Sequence, residues 1–89
     1  YCPIMLIVLT NTKGGVGKST LAAHLTLWLH DRGVNVALLD TDEQQTAARW
    51  VRGAEPVIPV IVATDVESIR KARAELIKSH EVVVADSPG

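Results

Sequence analysis

The sequence predicts an α/β fold built on a parallel sheet, and three observations carry that expectation. Short apolar runs alternate with helix-periodic segments along the chain, the pattern of βαβ units joined by right-handed crossovers. A glycine-rich loop, residues 12–20, joins the first apolar run to the first helical segment. Two later apolar runs end in a carboxylate, Asp40 and Asp86. Three polar strand endings should therefore meet at one sheet edge, beyond the strand carboxyl ends where such folds bind ligands.

Taken in order, residues 4–10 are continuously apolar and β-branched, which predicts a strand covered on both faces. After the loop, Leu21, Leu25, Trp28 and Leu29 fall on one helical stripe, with Gly33 placed to stop the helix. Residues 34–40 form the second predicted strand. Thr41-Asp42-Glu43 should then start a short helix carrying Ala47, Ala48, Trp50 and Val51, ended by Gly53. Residues 57–63 read as a third strand, placed at a sheet edge because Pro59 has no amide for a ladder. Thr64-Asp65-Val66-Glu67 reads as a capping box. It opens a helix with Val66, Ile69, Ala72, Leu76 and Ile77 on one face, and residues 81–86 form the fourth strand.

Composition narrows the class. The chain has 89 residues, 47% of them hydrophobic, and 9 basic against 10 acidic residues give a net charge of −1. That describes one small globular unit over residues 1–89, with no bulk attraction to nucleic acid or anionic lipid. No apolar run approaches the ~18 residues of a membrane span, and no signal-peptide pattern precedes the first strand. Cys2 stands alone, so no disulfide framework or CxxC pair is present, and a reducing cytoplasm is the expected compartment. The chain starts Tyr1-Cys2-Pro3 and stops at Ser87-Pro88-Gly89, directly after an apolar strand. Both features predict the N-terminal part of a larger domain. A unit of this size buries only about 60–65% of its unfolded surface, so its core should be marginal alone.

The loop carries the chemistry. Gly14, Gly15 and Gly17 let the backbone turn with its amides inward, where side chains would obstruct phosphate oxygens. Lys18 supplies a point charge for β- and γ-phosphates, and the Ser19 hydroxyl is placed to ligate Mg²⁺. The ordinary P-loop pattern wants a glycine five residues before Gly17. Thr12 stands there, followed by a second lysine, Lys13. Asp40, Asp42 and Asp86 supply carboxylates of the kind that hold a magnesium ion's waters or orient an attacking water. His24, His30 and His80 lack metal-ligand spacing and read as surface or helix-end residues. Arg70, Lys71, Arg73 and Lys78, interleaved with Glu67 and Glu75, read as an ordinary solvated face. Trp28 and Trp50 read as core or helix-packing residues.

Lys13-Gly14-Gly15-Val16-Gly17-Lys18-Ser19-Thr20 resembles the deviant Walker A motif of the ParA/MinD family of P-loop ATPases. Asp40-Thr41-Asp42-Glu43-Gln44 is similar to the family's second box, with Glu43 in place of the usual proline. Val82-Val83-Val84-Ala85-Asp86 resembles its Walker B strand. Short plasmid- and chromosome-partition ATPases are the nearest likeness. The resemblance implies the P-loop NTPase fold with strand order 3-2-4-1, leaving strand one at an edge despite its all-apolar sequence. It implies ATP and Mg²⁺ as cofactors, with residues 13–20 around the nucleotide: Lys13, Gly14, Gly15, Val16, Gly17, Lys18, Ser19 and Thr20. Lys18 would bind the β- and γ-phosphates, and Ser19 and Asp86 would serve the metal. Asp40 would support metal and water, and Asp42 would position the attacking water. Lys13 would reach the partner's phosphates across an ATP-dependent homodimer. The implied function is DNA partitioning or cargo positioning, with a DNA-bound adaptor stimulating hydrolysis and non-specific DNA binding through segments beyond Gly89. Glu43 should loosen the turn after Asp42. Two alternatives remain open: an iron–sulfur carrier or reductase component on the same scaffold, which Lys18-Ser19-Thr20 also suits, and an inactive fragment.

Overall fold

The computed structural model describes residues 5–9 and 16–87. Its elements are β1 (Met5–Leu9), α1 (Val16–Asp31), β2 (Val36–Asp40), α2 (Thr46–Ala54), β3 (Val60–Val62), α3 (Val66–Ser79) and β4 (Val82–Asp86). All pairings are parallel and the order is β1-β4-β2-β3, the expected 3-2-4-1 read from the other edge. β2 is buried at all five positions and β4 at four, because each is central and covered on both faces. Side-chain alternation divides the core. Val36, Leu38 and Val84 pack under Ala22, Ala23, Ala47 and Val51 of α1 and α2. Ala37, Leu39, Val83 and Ala85 face Leu76 of α3 on the other side. No helix among the described residues is long and apolar enough to cross a membrane.

Several local expectations are corrected. β1 is not covered on both faces: Met5, Leu6 and Val8 are 56%, 38% and 50% exposed, and among the described residues β1 stands at the sheet edge beside β4. The buried stripe of α1 is Ala22, Ala23 and Thr26, with Leu25 and Leu29 partly covered. The two alanines bring the helix backbone close to the sheet. Thr26 tolerates burial because its hydroxyl donates to the Ala22 carbonyl at 2.8 Å. Leu21 and Trp28 therefore turn outward, 57% and 52% exposed. Neither tryptophan is a core residue. The Arg32 guanidinium stacks 4.4 Å from the Trp28 ring centroid, and Trp50 meets the His24 ring edge-on at 5.7 Å.

The termini of the elements also differ in detail. Gly33 does stop α1: its φ is +82°, and the Gly33 and Val34 amides donate to the His30 and Leu29 carbonyls in a Schellman closure. α2 starts at Thr46 rather than Thr41, so residues 41–45 form a loop. β3 spans only three residues, following Pro59 at the sheet edge. The α3 cap is Asp65, not Thr64. Its carboxylate accepts the Ser68 amide at 3.0 Å and the Ser68 hydroxyl at 2.6 Å, and Val66 is left exposed.

Candidate functional site

Parallel register brings the polar endings level. Leu9 pairs with Asp86, and Asp86 with Asp40, so the ends of β1, β4 and β2 stand side by side. The first turn of α1 begins above them at Val16, and its leading amides have no intrahelical carbonyl partners. Gly17, Lys18, Ser19 and Thr20 all lie in this turn region, where the helix dipole favours anions.

Asp86 is the hub. Its carboxylate is fully buried and shares its two oxygens between neighbours on α1. The Lys18 ammonium forms a hydrogen-bonded ion pair with Oδ1, and the Ser19 hydroxyl donates to Oδ2 at 2.8 Å. The Lys18 side chain is itself only 8% exposed. Burying a carboxylate and an ammonium is tolerable because each supplies the other's counter-charge and the hydroxyl uses the remaining oxygen. The Asp86 main chain is held as firmly. Its carbonyl accepts the Thr41 amide at 2.9 Å and the Thr41 hydroxyl at 2.7 Å. The next amide, Ser87, donates to the Leu9 carbonyl at 3.0 Å.

Asp40 is equally buried but differently employed. Oδ1 accepts the Asp42 amide at 3.0 Å, and Oδ2 accepts the Ala48 amide at 2.9 Å. Burial pushes its pKa above the usual carboxylate value, and the nearby Asp86 and Asp42 charges push the same way. The two amide hydrogen bonds oppose the rise without cancelling it. Asp42 sits half-buried on the following loop, where its Oδ1 accepts the Gln44 amide at 3.0 Å. The turn that Glu43 was expected to loosen is closed by that bond and by Gln45 N–H donating to the Asp42 carbonyl at 3.1 Å. Gln45 adopts the left-handed conformation, φ +57°, at the start of α2.

Lys18, Ser19 and Asp86 are thus brought into direct contact, with Asp40 and Asp42 on the adjoining strand and loop. Lys13, Gly14 and Gly15 lie outside the described residues, as does the Val16 side chain. Among the described residues no cluster of three or more His, Cys, Asp or Glu could hold a metal unaided. The sequence carries little sign of the parts that Thr41 and Ala48 play at the site. Thr41 had only its position between two carboxylates to signal it, and a backbone amide such as that of Ala48 carries no residue-type signal.

A buried lysine and serine at a helix start, over a strand-end carboxylate on a parallel sheet, define a P-loop α/β domain. The family profile described as CobQ/CobB/MinD/ParA nucleotide binding domain matches residues 7–86, and the chain belongs to this family. It is 32% identical to Protein ParA of Rhizobium radiobacter over 94% of its length and 39% of the relative's. It is 29% identical to Maintenance of carboxysome distribution protein A of Halothiobacillus neapolitanus, over 92% of this chain and 39% of that protein. A shorter match, 42% identical over 56% of the chain and 19% of the relative, joins it to a Cytosolic Fe-S cluster assembly factor Nubp2 homolog of Drosophila erecta. The chain therefore spans about two fifths of the relatives it matches throughout. In shape it is similar to a solved structure of FlhF complexed with GMPPNP/Mg(2+), with a TM-score of 0.65 at 22% identity, covering all of this chain and 35% of that one.

Proposed function

We propose that this chain is the nucleotide-holding part of an Mg²⁺-dependent ATPase that hydrolyses ATP in an ATP-dependent homodimer and serves DNA partitioning or cargo positioning. The observation that supports it most is the convergence of Lys18 and Ser19 on the two oxygens of Asp86. An ammonium, a hydroxyl and a carboxylate at a helix N-terminus match the donor set for a magnesium-bound triphosphate. Mg²⁺ takes one or two protein oxygens and completes its shell with water and phosphate, so Ser19 and Asp86 fit it. Bound there, the ion would neutralise charge building on the phosphate oxygens.

The chain's own residues then divide the work. Lys18 exchanges its carboxylate partner for β- and γ-phosphate oxygens, and the first amides of α1 take the remaining phosphate oxygens. A methyl placed on Gly17 would meet no described protein atom within 4 Å, so its glycine identity fits close approach of a ligand. Asp42, on a loop anchored at both ends, orients the attacking water. Lys13 delivers a cation to the partner subunit's phosphates, which ties turnover to dimerisation. The ParA and carboxysome-distribution relatives favour partitioning or positioning as the use of this cycle. The Nubp2 match favours a second reading, an iron–sulfur assembly scaffold, which a CxxC pair downstream of β4 in the whole protein would identify.

ATP turnover by the full-length protein tests the assignment. Lys18→Ala and Asp42→Ala should each reduce turnover by about 100-fold or more, the scale seen when a preorganised charge or donor is removed. Unchanged turnover in either variant would overturn that residue's role.

A further inference from the structure

The loop that carries Asp42 begins at Thr41, and Thr41 is tied to the end of β4 twice. Its amide donates to the Asp86 carbonyl at 2.9 Å, which carries the parallel ladder one residue past β2. Its hydroxyl donates to the same carbonyl at 2.7 Å. One residue therefore fills both acceptor positions of that oxygen. Thr41 is 7% exposed and Asp86 fully buried, so both bonds are made away from bulk water. The peptide after Asp86 is gripped from its other side as well, where the Ser87 amide donates to the Leu9 carbonyl at 3.0 Å. The two ladder bonds ask for no particular side chain. The hydroxyl bond does, and among the β-branched residues only threonine can make it.

The bond matters because of where Thr41 stands. It precedes Asp42 directly, and the strand end that it grips is the residue that meets Lys18 and Ser19 of α1. The Asp42, Gln44 and Gln45 amides reach only Asp40 or the loop itself. Thr41 is thus the member of the loop that fastens it to β4. We propose that Thr41 is a positioning residue, whose hydroxyl locks the first residue of the loop to the Asp86 carbonyl and so fixes Asp42 relative to the start of α1. This rests on the nucleotide site and on the water-orienting role of Asp42 proposed above. Thr41 acts through Asp42, with no contact of its own to nucleotide or metal.

Steady-state ATP turnover by Thr41→Val in the full-length protein tests this. Valine keeps the branched shape and the ladder amide and removes only the hydroxyl. The expected kcat is about 10-fold lower, within the scale of a small misplacement of a catalytic group. The ATP KM should stay within about twofold of the parent, because ground-state binding is untouched. Thr41→Ser keeps the donor and should hold kcat within about twofold of the parent. Unchanged kcat in Thr41→Val, or the same loss in the serine and valine variants, would overturn the proposal. So would a raised KM at the parent's kcat, which would place Thr41 in substrate binding. Thr41→Ala against Thr41→Ser repeats the comparison without the methyl group, and decides it where valine prevents folding: alanine should lose turnover and serine should not. Equal turnover in those two would remove the hydroxyl from the account. On an Asp42→Ala background Thr41→Val should add no further loss, whereas a full additional loss would show that Thr41 does not act through Asp42. Normal turnover by Asp42→Ala alone would instead sink the reading of Asp42 on which the proposal rests.

Discussion

Asp40 and Asp86 are register partners at the ends of adjacent parallel strands, both fully buried, yet their carboxylates face different tasks. Asp86 meets a cation and a hydroxyl from α1, while Asp40 meets two backbone amides from the loop and α2. Burial first, and the neighbouring Asp86 charge to a lesser degree, hold the Asp40 pKa above the usual carboxylate value. Thr41 joins them, with its amide and hydroxyl both donating to the Asp86 carbonyl. The pair thus connects α1 to the loop of Asp42.

Asp86→Asn should destabilise the fold as well as the site. The substitution leaves the Lys18 ammonium buried without its counter-charge, a change that costs about 3–5 kcal/mol when one partner of a buried pair is removed. Denaturant unfolding of the variant and parent checks this. Lys18→Met, which removes the cation and keeps the stem, should also destabilise, because it leaves the fully buried Asp86 carboxylate without its counter-charge.

Gly33→Ala tests the α1 stop. A Cβ at Gly33 would meet nothing within 4 Å, so space is not at issue, but φ is +82°. The expected loss is about 1–2 kcal/mol, with Gly33→Asn milder because asparagine enters the left-handed region more readily. Thermal melts of the two variants should rank them in that order.

Asp65→Ala should remove a pH-dependent contribution to stability. The Ser68 hydroxyl, and then the Ser68 amide, hold the Asp65 carboxyl below the usual aspartate range. A carboxyl with a lower pKa folded than unfolded contributes stability that is present above the unfolded value and lost as pH falls through the folded one. The parent should therefore melt above Asp65→Ala at neutral pH, and the charge-dependent part of the gap should shrink below about pH 4. A gap that widened on acidification would contradict the cap.

Lys13→Ala should abolish ATP-dependent dimers of the full-length protein while leaving much of its nucleotide affinity. Sedimentation with a non-hydrolysable ATP analogue and Mg²⁺ reads this directly. Dimers persisting at the parent's concentration dependence would remove Lys13 from the partner's site.

The strand pattern was legible because short β-branched apolar runs alternate with helix-periodic segments, and terminal carboxylates mark the polar edge. Pro59 placed β3 at an edge on local chemistry alone. Helical spacing of large apolar residues locates the α1 face only in part: Leu25 and Leu29 pack against the core, while Leu21 and Trp28 do not. Close approach of the helix to β2 and β4 selected Ala22, Ala23 and Thr26, and excluded Trp28. For Lys18, Ser19 and Asp86, spacing along the chain sufficed to nominate them, and register at the strand ends explains why they meet. The use of Asp40 was not legible, since its partner at Ala48 is a backbone amide exposed by where α2 begins. That start depends on the left-handed turn at Gln45, which no residue type there announces.

Calorimetric titration of the full-length protein with Mg²⁺·ATP tests the nucleotide site most directly, comparing parent with Lys18→Ala. The parent should bind, and Lys18→Ala should bind about 10–100-fold more weakly, the value of a lost charge-assisted hydrogen bond. Equal affinity in the two proteins would contradict a phosphate site at the start of α1.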